Sequence, residues 1–504
     1  MDVGSDGRPH CAVIGSGIAG LAAAIRIARM GHRVTVFEAN KHVGGKVDEL
    51  HEGGFRWDMG PTILTMPDYL AELFSLCGED LRDHLSIQRL DGDLQHVFDD
   101  GTVIRMHADL DRLADEFASK TTVKRELILR FMERSREKLD LTDEVFLQRT
   151  LHRFRNYFDK PSWRGIFNFH KLEAFNTMAR SNASFFKDDK VSAIFNQYAS
   201  YNGSDPYQAP ATLNLISHVE VSLGSFFAKG GMHAIIRALH GLAVRQGVSF
   251  RFGKPVERIV VERGRAKGIV VAGRQLPFDW VVSNADVLNT FECLMPDVRR
   301  PRLTLDQPRS SSVIVFYWGM NRTFDSLRLH NMFLSSDPEQ EYAAVFGKGT
   351  VSDAPSVYVH VSSKANKNDA PDGHENWYTM VTVPHDSGQD WDALIDRVRS
   401  AALRKLGRRL GVDLARHIVC EHVLEPRTIM QRTGSPRGAV FGNSSNGLLA
   451  AFLRHPNFSS RVKDLYFCGG SVHPGSSLPL CLLSAKIAAG MVAERMPAKR
   501  RAQQ

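Results

Sequence analysis

Residues 10–38 read HCAVIGSGIAGLAAAIRIARMGHRVTVFE, and this stretch decides the fold. Residues 11–14 form a short apolar run typical of a buried parallel strand. Apolar residues then recur at helical spacing from residue 18, and a second apolar run over residues 34–37 ends at Glu38. The stretch predicts a strand, a helix and a second strand, as at the start of a doubly wound α/β domain.

Three glycines stand where the first predicted strand turns into the helix. Gly15 permits the tight turn, Gly17 lets a pyrophosphate approach the backbone, and Gly20 lets helix and sheet pack closely. The helix start at Ile18 and Ala19 offers N–H groups and a positive dipole end to phosphates.

Glu38 completes this pattern at the end of the second strand. It follows Gly20 by 18 residues (38 − 20), near the distance at which an acid binds the adenosine ribose hydroxyls. The pattern predicts a dinucleotide site, with a glycine-rich structural turn as the alternative. A carboxylate here disfavours a 2′-phosphate, and therefore NADP, but leaves both NAD and FAD open.

The composition is that of a globular protein of 504 residues, long enough for two or three domains. No run of 18 apolar residues predicts a spanning helix, and residues 1–9 do not resemble a signal peptide. The six cysteines are scattered without a CxxC pair, which predicts a cytoplasmic protein with neither disulfides nor a metal site. The net charge of +8 points only weakly to an acidic surface partner, nucleic acid or anionic lipid.

Residues 226–286 return to alternating strand and helix patterns, with a predicted helix over 233–246, after a long segment of different character. We therefore expect a discontinuous nucleotide-binding domain over 1–75, 225–290 and 425–504. Residues 76–224 and 291–424 would build an inserted α+β domain for substrate and membrane association. Its predicted strands carry few charges, which suits either a lipophilic tunnel wall or an ordinary core sheet.

Two further glycine-rich stretches accompany the first. Gly44, Gly45 and Lys46 are typical of a loop along a phosphate, although a structural loop has the same composition. Residues 464–479, DLYFCGGSVHPGSSLP, predict a strand, a glycine pair and a helix that begins at a proline, a second terminus suited to an anion.

These stretches, with GFRWDMGPT at 54–62 and YNGSDPY at 201–207, resemble FAD-dependent enzymes of the amine oxidase and phytoene desaturase type. The resemblance covers nearly the whole chain, and within the family it is greatest to the 1-hydroxycarotenoid 3,4-desaturases. It implies a Rossmann-like FAD-binding domain, FAD rather than NAD, and a carotenoid substrate. Phytoene-type desaturases, carotenoid oxygenases of the same fold and non-catalytic FAD-binding escort proteins are the alternatives.

The resemblance also implies which residues contact the cofactor. They are Gly15, Gly17, Ile18, Ala19, Gly20, Glu38, Gly44, Gly45, Lys46, Gly60, Pro61, Val256, Gly469, Gly470, Leu478 and Pro479. The helix after Pro479 would direct its N-terminus at the electron-rich end of the flavin ring. Two positions depart from the family pattern: Ser471 replaces a frequent acid, and Ser477 a frequent glycine.

A desaturase removes a hydride from one carbon and a proton from its neighbour, and FAD accepts the hydride at N5. No catalytic triad or carboxylate pair is apparent, so the catalytic residues stay unassigned. His473 lies near the flavin by motif and is the candidate base, although a structural loop histidine is the favoured interpretation. Asp205 and His330 are likewise expected to be structural, and the final electron acceptor, oxygen or a quinone, stays open.

Residues 149–171 combine six basic residues with six aromatic ones against a single acid. This composition suits contact with anionic headgroups, and predicts a peripheral protein at a lipid bilayer surface. The alternative is a helix pair with its aromatic residues in the core. Single-stranded nucleic acid favours similar compositions, but nothing else in the chain supports it.

Overall fold

The computed structural model describes residues 7–153, 168–447, 450 and 453–494. Its helices of eight residues or more are α1 (Ile18–Arg29), α2 (Asp68–Leu76), α3 (Leu110–Lys120), α4 (Arg125–Thr142), α5 (Met178–Phe186), α6 (Asp189–Asn196), α7 (His233–Arg245), α8 (Trp391–Leu410), α9 (Pro426–Thr433) and α10 (Leu478–Ala493).

The strands of the same residues are β1 (His10–Ile14), β2 (Arg33–Phe37), β3 (Glu49–Glu52), β4 (Phe55–Asp58), β5 (Leu64–Thr65), β6 (Ile87–Arg89), β7 (Leu94–Val97), β8 (Val103–Met106), β9 (Ser225–Ala228), β10 (Ser249–Arg251), β11 (Val256–Glu262), β12 (Arg265–Val271), β13 (Arg274–Pro277), β14 (Trp280–Ser283), β15 (Ser312–Met320), β16 (His330–Phe333), β17 (Val357–His360), β18 (Glu375–Val383), β19 (Ile418–Leu424) and β20 (Leu465–Phe467).

A parallel sheet of five strands, in the order β10-β2-β1-β14-β20, holds the opening stretch at its centre. Successive β1 side chains point to opposite faces, and both faces are buried: Cys11 and Val13 on one, Ala12 and Ile14 on the other. This explains the continuous apolar run in the sequence. The predicted strand-helix-strand unit and α/β fold are both observed.

Two layers cover this sheet. Helices α1, α2, α7 and α10 share one apolar core with its first face. The antiparallel sheet β11-β12-β13 packs on the other face. Because both faces of the sheet are covered, we expect a ligand to bind where the parallel strands end.

The second large sheet has seven strands, in the order β19-β15-β18-β17-β16-β7-β8. It is antiparallel except where β16 runs parallel to β7. One face, with Ile314, Phe316 and Trp318, packs on α8 as an ordinary core. The opposite face carries aromatic residues, Tyr317, Tyr358 and Tyr378, against Phe55 and Trp57 of β4.

The remaining described elements link these sheets. Helices α3, α4, α5 and α6 build a separate helical core around Phe117, Phe131 and Phe195. The small sheet β5-β9-β6 and the hairpin β3-β4 connect the helical and sheet layers. No helix in the described ranges is long and apolar enough to span a membrane.

Candidate active site

The first two glycine stretches meet at the end of β1 and form one cradle. The Gly44 N–H donates to the Ser16 carbonyl (3.2 Å), and Gly17 pairs with Gly44 as an isolated β-bridge. A Cβ on Gly45 would lie 3.5 Å from the Gly17 Cα. The two loops, separate in the sequence, therefore face a ligand together.

Glycine is required at two further positions, Gly20 and Gly60, because neighbouring backbone atoms leave no room for a side chain. A Cβ on Gly20 would lie 2.1 Å from the Gly15 carbonyl oxygen, and a Cβ on Gly60 would lie 2.1 Å from the Lys46 carbonyl oxygen. Gly60 therefore holds the Gly60–Pro61 stretch against the Gly44–Lys46 loop. Any larger side chain at Gly20 would push α1 away from the sheet.

No capping side chain accepts hydrogen bonds from the first N–H groups of α1. Gly17 is the N-cap and offers no side chain, and the first turn, with Ile18 and Ala19, contains no acid. A helix that begins without a capping side chain leaves these donors for an anion. This is the arrangement that the sequence predicts for a pyrophosphate.

Glu38 is buried at the end of β2, where it fixes the neighbouring backbone. One of its carboxylate oxygens accepts from the Ser16 N–H (2.8 Å) and hydroxyl (2.7 Å), and the other accepts from the Asn40 N–H (2.9 Å). The second oxygen keeps a lone pair for a further donor. The Lys254 N–H donates to the Glu38 carbonyl (2.9 Å), which places Val256 close to this end of the site.

The C-terminal glycine pair reaches the same edge through β20. A Cβ on Gly469 would lie 2.6 Å from the Asn284 Nδ2, and one on Gly470 would lie 2.9 Å from Ser476. The Gly469 N–H donates to the Ser484 hydroxyl on α10 (3.1 Å). The third glycine stretch thus closes the cradle from the side opposite Gly44.

Asn284 is the residue at the centre that sequence reasoning missed. It follows β14, donates through Nδ2 to the Cys468 carbonyl (3.1 Å), and its Oδ1 is the atom that a Cβ on Gly17 or Gly20 would meet at 2.9 Å. Its position directly after a strand that pairs with β1 is the signal that points to it, because ligands bind where such strands end.

Two cations stand beside the glycine loops. The Lys46 ammonium donates to the Val440 carbonyl (2.6 Å), and loss of solvation lowers its pKa, against the Asp286 carboxylate, which raises it. Arg454, also missed as a site residue, donates to the carbonyls of Gly470 (3.3 Å) and Asn443 (3.2 Å), and burial lowers its pKa to about 10.

The last helix, α10, begins at the cradle. Its first residues are Leu478 and Pro479, its N-cap Ser477 forms no side-chain capping bond, and its first turn has no acid. Ser471, where the family often has an acid, accepts from the Val287 N–H (3.0 Å). The helix start therefore keeps N–H donors that no side chain caps.

The histidine and aspartate considered from the sequence make structural contacts. His473 is fully buried, its Nε2 contacts the Arg149 carbonyl (2.9 Å), and burial lowers its pKa to about 3. Asp205 accepts from the Tyr207 N–H (2.9 Å) and the Gln208 amide (2.7 Å). These are the contacts of residues that stabilise loops.

Three converging glycine loops, an uncapped helix start, a buried carboxylate at the end of β2 and two cations fit a long dinucleotide with a ring near α10. The molecule is a flavin-dependent oxidoreductase, and its cofactor is FAD. The chain belongs to the flavin containing amine oxidoreductase family, whose model matches residues 18–493.

Individual relatives are similar over almost the whole chain. A 1-hydroxycarotenoid 3,4-desaturase of Flavobacterium sp. is 39% identical over 95% of this chain and 98% of its own length. A 4,4'-diapolycopene oxygenase of Methylomonas sp. is 32% identical over 96% and 98%. A putrescine oxidase structure matches with a TM-score of 0.64 at 15% identity, over 97% of this chain and 99% of that one, and shows the shared fold.

Proposed function

We propose that this protein is an FAD-dependent carotenoid desaturase that introduces a double bond at C-3,4 of a 1-hydroxy- or 1-methoxycarotenoid. The observation that carries the proposal is the 39% identity to a 1-hydroxycarotenoid 3,4-desaturase over nearly both complete chains. The glycine cradle supplies the cofactor site that such a reaction requires.

The cofactor contacts are proposed as the resemblance implies them. The α1 start with Gly15, Gly17 and Gly44 holds the diphosphate, and Glu38 holds the ribose. Gly60, Pro61, Gly469 and Gly470 flank the ring. When bound, FAD supplies a two-electron acceptor for a hydride. The N-terminus of α10, at Leu478 and Pro479, stabilises negative charge that develops on the ring.

We further propose that the division into two domains holds as the sequence predicts it. The strands of the parallel sheet come from the three segments assigned to the FAD domain, and those of the seven-stranded sheet from the inserted segments. The aromatic sheet face with Tyr317, Tyr358 and Tyr378 would then orient the polyene beside the cofactor and exclude water.

Contact with a lipid surface is the third part of the proposal, because a C40 polyene resides in bilayers. Residues 154–167, which contain most of the predicted contact segment, lie outside the described residues. Four residues beyond its end at Lys171 (175 − 171), Phe175 is 78% exposed and packs edge-on against Phe169 of the segment (5.7 Å). An exposed ring on a half-buried aromatic partner, near the cation Lys171, suits the headgroup boundary.

Expression in a carotenoid-producing host tests the proposal. We expect a pigment with one double bond more and two hydrogens fewer, identified by mass and absorption spectrum. A product that gains an oxygen atom would favour a carotenoid oxygenase, as for the Methylomonas relative. Unchanged pigments from a strain that makes FAD-loaded protein would favour an escort role. Reoxidation of the reduced protein by oxygen or by a quinone identifies the acceptor.

A further inference from the structure

A small cavity of about 30 Å³ lies beside the stretch that follows Gly60 and Pro61. Its walls are mostly apolar, with Ile63, Leu90 and Val221 among them. Two buried ionisable side chains, Glu220 and His330, also line it. A space of this size holds one or two water molecules if polar partners are present.

Glu220 presents an unused acceptor to this cavity. The residue is 4% exposed, and its Oε1 accepts from the Tyr198 hydroxyl (3.1 Å). Its Oε2 has no partner at hydrogen-bonding distance and angle within the described part of the chain, although the Tyr201 hydroxyl lies near enough to lower the pKa of the carboxyl. A buried carboxylate oxygen without a partner is costly, which favours a water at this position.

His330 presents the second unused group. It is 1% exposed, and its Nδ1 shares a hydrogen bond with the Tyr358 hydroxyl (2.7 Å). That hydroxyl in turn bonds to the Thr62 hydroxyl (2.7 Å), next to Pro61. The Nε2 of His330 has no partner among the described residues. The chain Thr62–Tyr358–His330 therefore connects the proposed ring contacts to the cavity.

The two groups differ in their protonation. Burial raises the pKa of Glu220 to about 7, against the hydroxyls of Tyr201 and Tyr198, which lower it. Burial lowers the pKa of His330 to about 3, so the imidazole stays neutral. The other ionisable groups that face Glu220 are Tyr358 and, at the partly exposed end of the cavity, Asp93 and His107. Glu220 thus changes its charge near neutral pH, as an acid–base group requires.

We propose that Glu220, through a water held between its Oε2 and the Nε2 of His330, accepts the proton that desaturation releases. This inference rests on the proposed function. Desaturation breaks two C–H bonds: one leaves as a hydride to FAD, and the electron pair of the other becomes the new π bond. The freed proton passes to the water, which gives a proton to the Glu220 carboxylate. His330 is a positioning residue that orients the water.

The proton then has a way out of the molecule. Gly92, Asp93 and His107 line the same cavity and are partly exposed. Glu220 can release its proton through this end before the next turnover. The His330 prediction from the sequence, a structural role, fits its Nδ1 contact but leaves Nε2 unexplained.

The first test compares Glu220→Gln with Glu341→Gln. Glu341 is equally buried, but both of its oxygens bond to Ser356 (2.8 and 2.7 Å) and it does not line the cavity. In anaerobic single turnovers with a 1-hydroxycarotenoid, we expect Glu220→Gln to slow flavin reduction at least about 100-fold. We also expect it to abolish the rise in rate with pH near 7. Glu341→Gln should keep both the rate and the pH profile.

A second readout does not depend on activity. Infrared difference spectra of the FAD-loaded wild type should show a protonated carboxyl band that titrates near pH 7. The band should be absent in Glu220→Gln and present in Glu341→Gln. If Glu220→Gln does not fold, Tyr198→Phe replaces it, and the removal of its hydroxyl should move the titration midpoint upward.

The outcomes separate the two claims. If carotenoids reduce the wild-type flavin and Glu220→Gln reacts with the same rate and pH profile, the inference is wrong and the proposed function stands. If the titrating band survives in Glu220→Gln, the assignment of the proton acceptor is also wrong. If no carotenoid reduces the wild-type flavin at any pH, the proposed function fails and the inference with it.

Discussion

Single glycines decide whether the cofactor site can form. Gly20 and Gly490 both lie inside helices, α1 and α10, but a Cβ at Gly20 meets the Gly15 carbonyl at 2.1 Å, whereas a Cβ at Gly490 meets nothing within 4 Å. We expect Gly20→Ala to lose bound FAD and to unfold at lower temperature. Gly490→Ala should keep FAD and gain up to about 1 kcal/mol of helix stability. Flavin absorbance and thermal unfolding measure both; equal FAD content would contradict the packing argument.

Glu220 also makes stability depend on pH. Its pKa rises from 4.5 in the unfolded chain to about 7 in the folded protein, so the folded state holds the proton more tightly. This contribution is fully present below pH 4.5 and is lost as pH rises through 7. The complete pKa shift corresponds to about 3 kcal/mol of the free energy of unfolding. Relative to Glu220→Gln, the wild type should therefore become less stable from pH 5 to 8 in thermal unfolding. Parallel curves for the two proteins would argue against a raised pKa.

At the scale of elements, a buried ion cluster joins β4 to the substrate side. The Arg56 guanidinium contacts Asp58 on β4 (2.6 Å), Glu49 on β3 (3.0 Å) and Asp369 (3.3 Å), the last before β18. Burial raises the pKa of both aspartates, against the Arg56 charge, which lowers it. The cluster thus holds the stretch before Gly60 in place.

Arg56→Met should therefore destabilise the protein by about 3–5 kcal/mol, because it leaves buried carboxylates unpaired. The loss of stability should be larger at pH 8 than at pH 5. Without Arg56, burial favours the protonated form of these carboxyls, and at pH 8 the unfolded chain gives up those protons readily while the folded state does not. Arg82→Met serves as the control, because the Arg82–Asp80 pair lies on the surface. We expect no measurable change for it in denaturant unfolding. Equal effects of the two substitutions would show that burial of the cluster is unimportant.

At the scale of the whole molecule, the proposed lipid surface is testable at Phe175. We expect Phe175→Ser to weaken co-sedimentation with anionic vesicles, because a ring exposed to 78% would insert at the headgroup boundary. Val419→Ser is the matched control, an exposed apolar residue (56%) on β19 beside Glu421. Unchanged binding of Phe175→Ser would exclude a lipid contact at Phe175, just beyond the segment, and equal loss in both variants would indicate non-specific adsorption.

Local parts of the fold could be predicted from the sequence, because periodicity and glycine spacing act over short distances. Residues 11–14 predict a strand that is observed as His10–Ile14, and the predicted helix at 233–246 is observed as His233–Arg245. Each glycine loop could likewise be predicted on its own from its local sequence.

What the sequence could not show is which distant residues meet. Asn284 contacts Cys468 across 184 residues, and Arg454 reaches the glycine loop from a segment outside the three glycine stretches. The cavity between Glu220 and His330 likewise depends on β16 folding beside β7. Such contacts follow from strand order, which periodicity does not determine.

The most direct test of the central claim mixes purified FAD-loaded protein with a 1-hydroxycarotenoid in anionic vesicles, without oxygen. The account predicts that the oxidised flavin band bleaches in step with a product that has one more double bond, formed once per flavin. No bleaching by any carotenoid, with FAD fully bound, would contradict it.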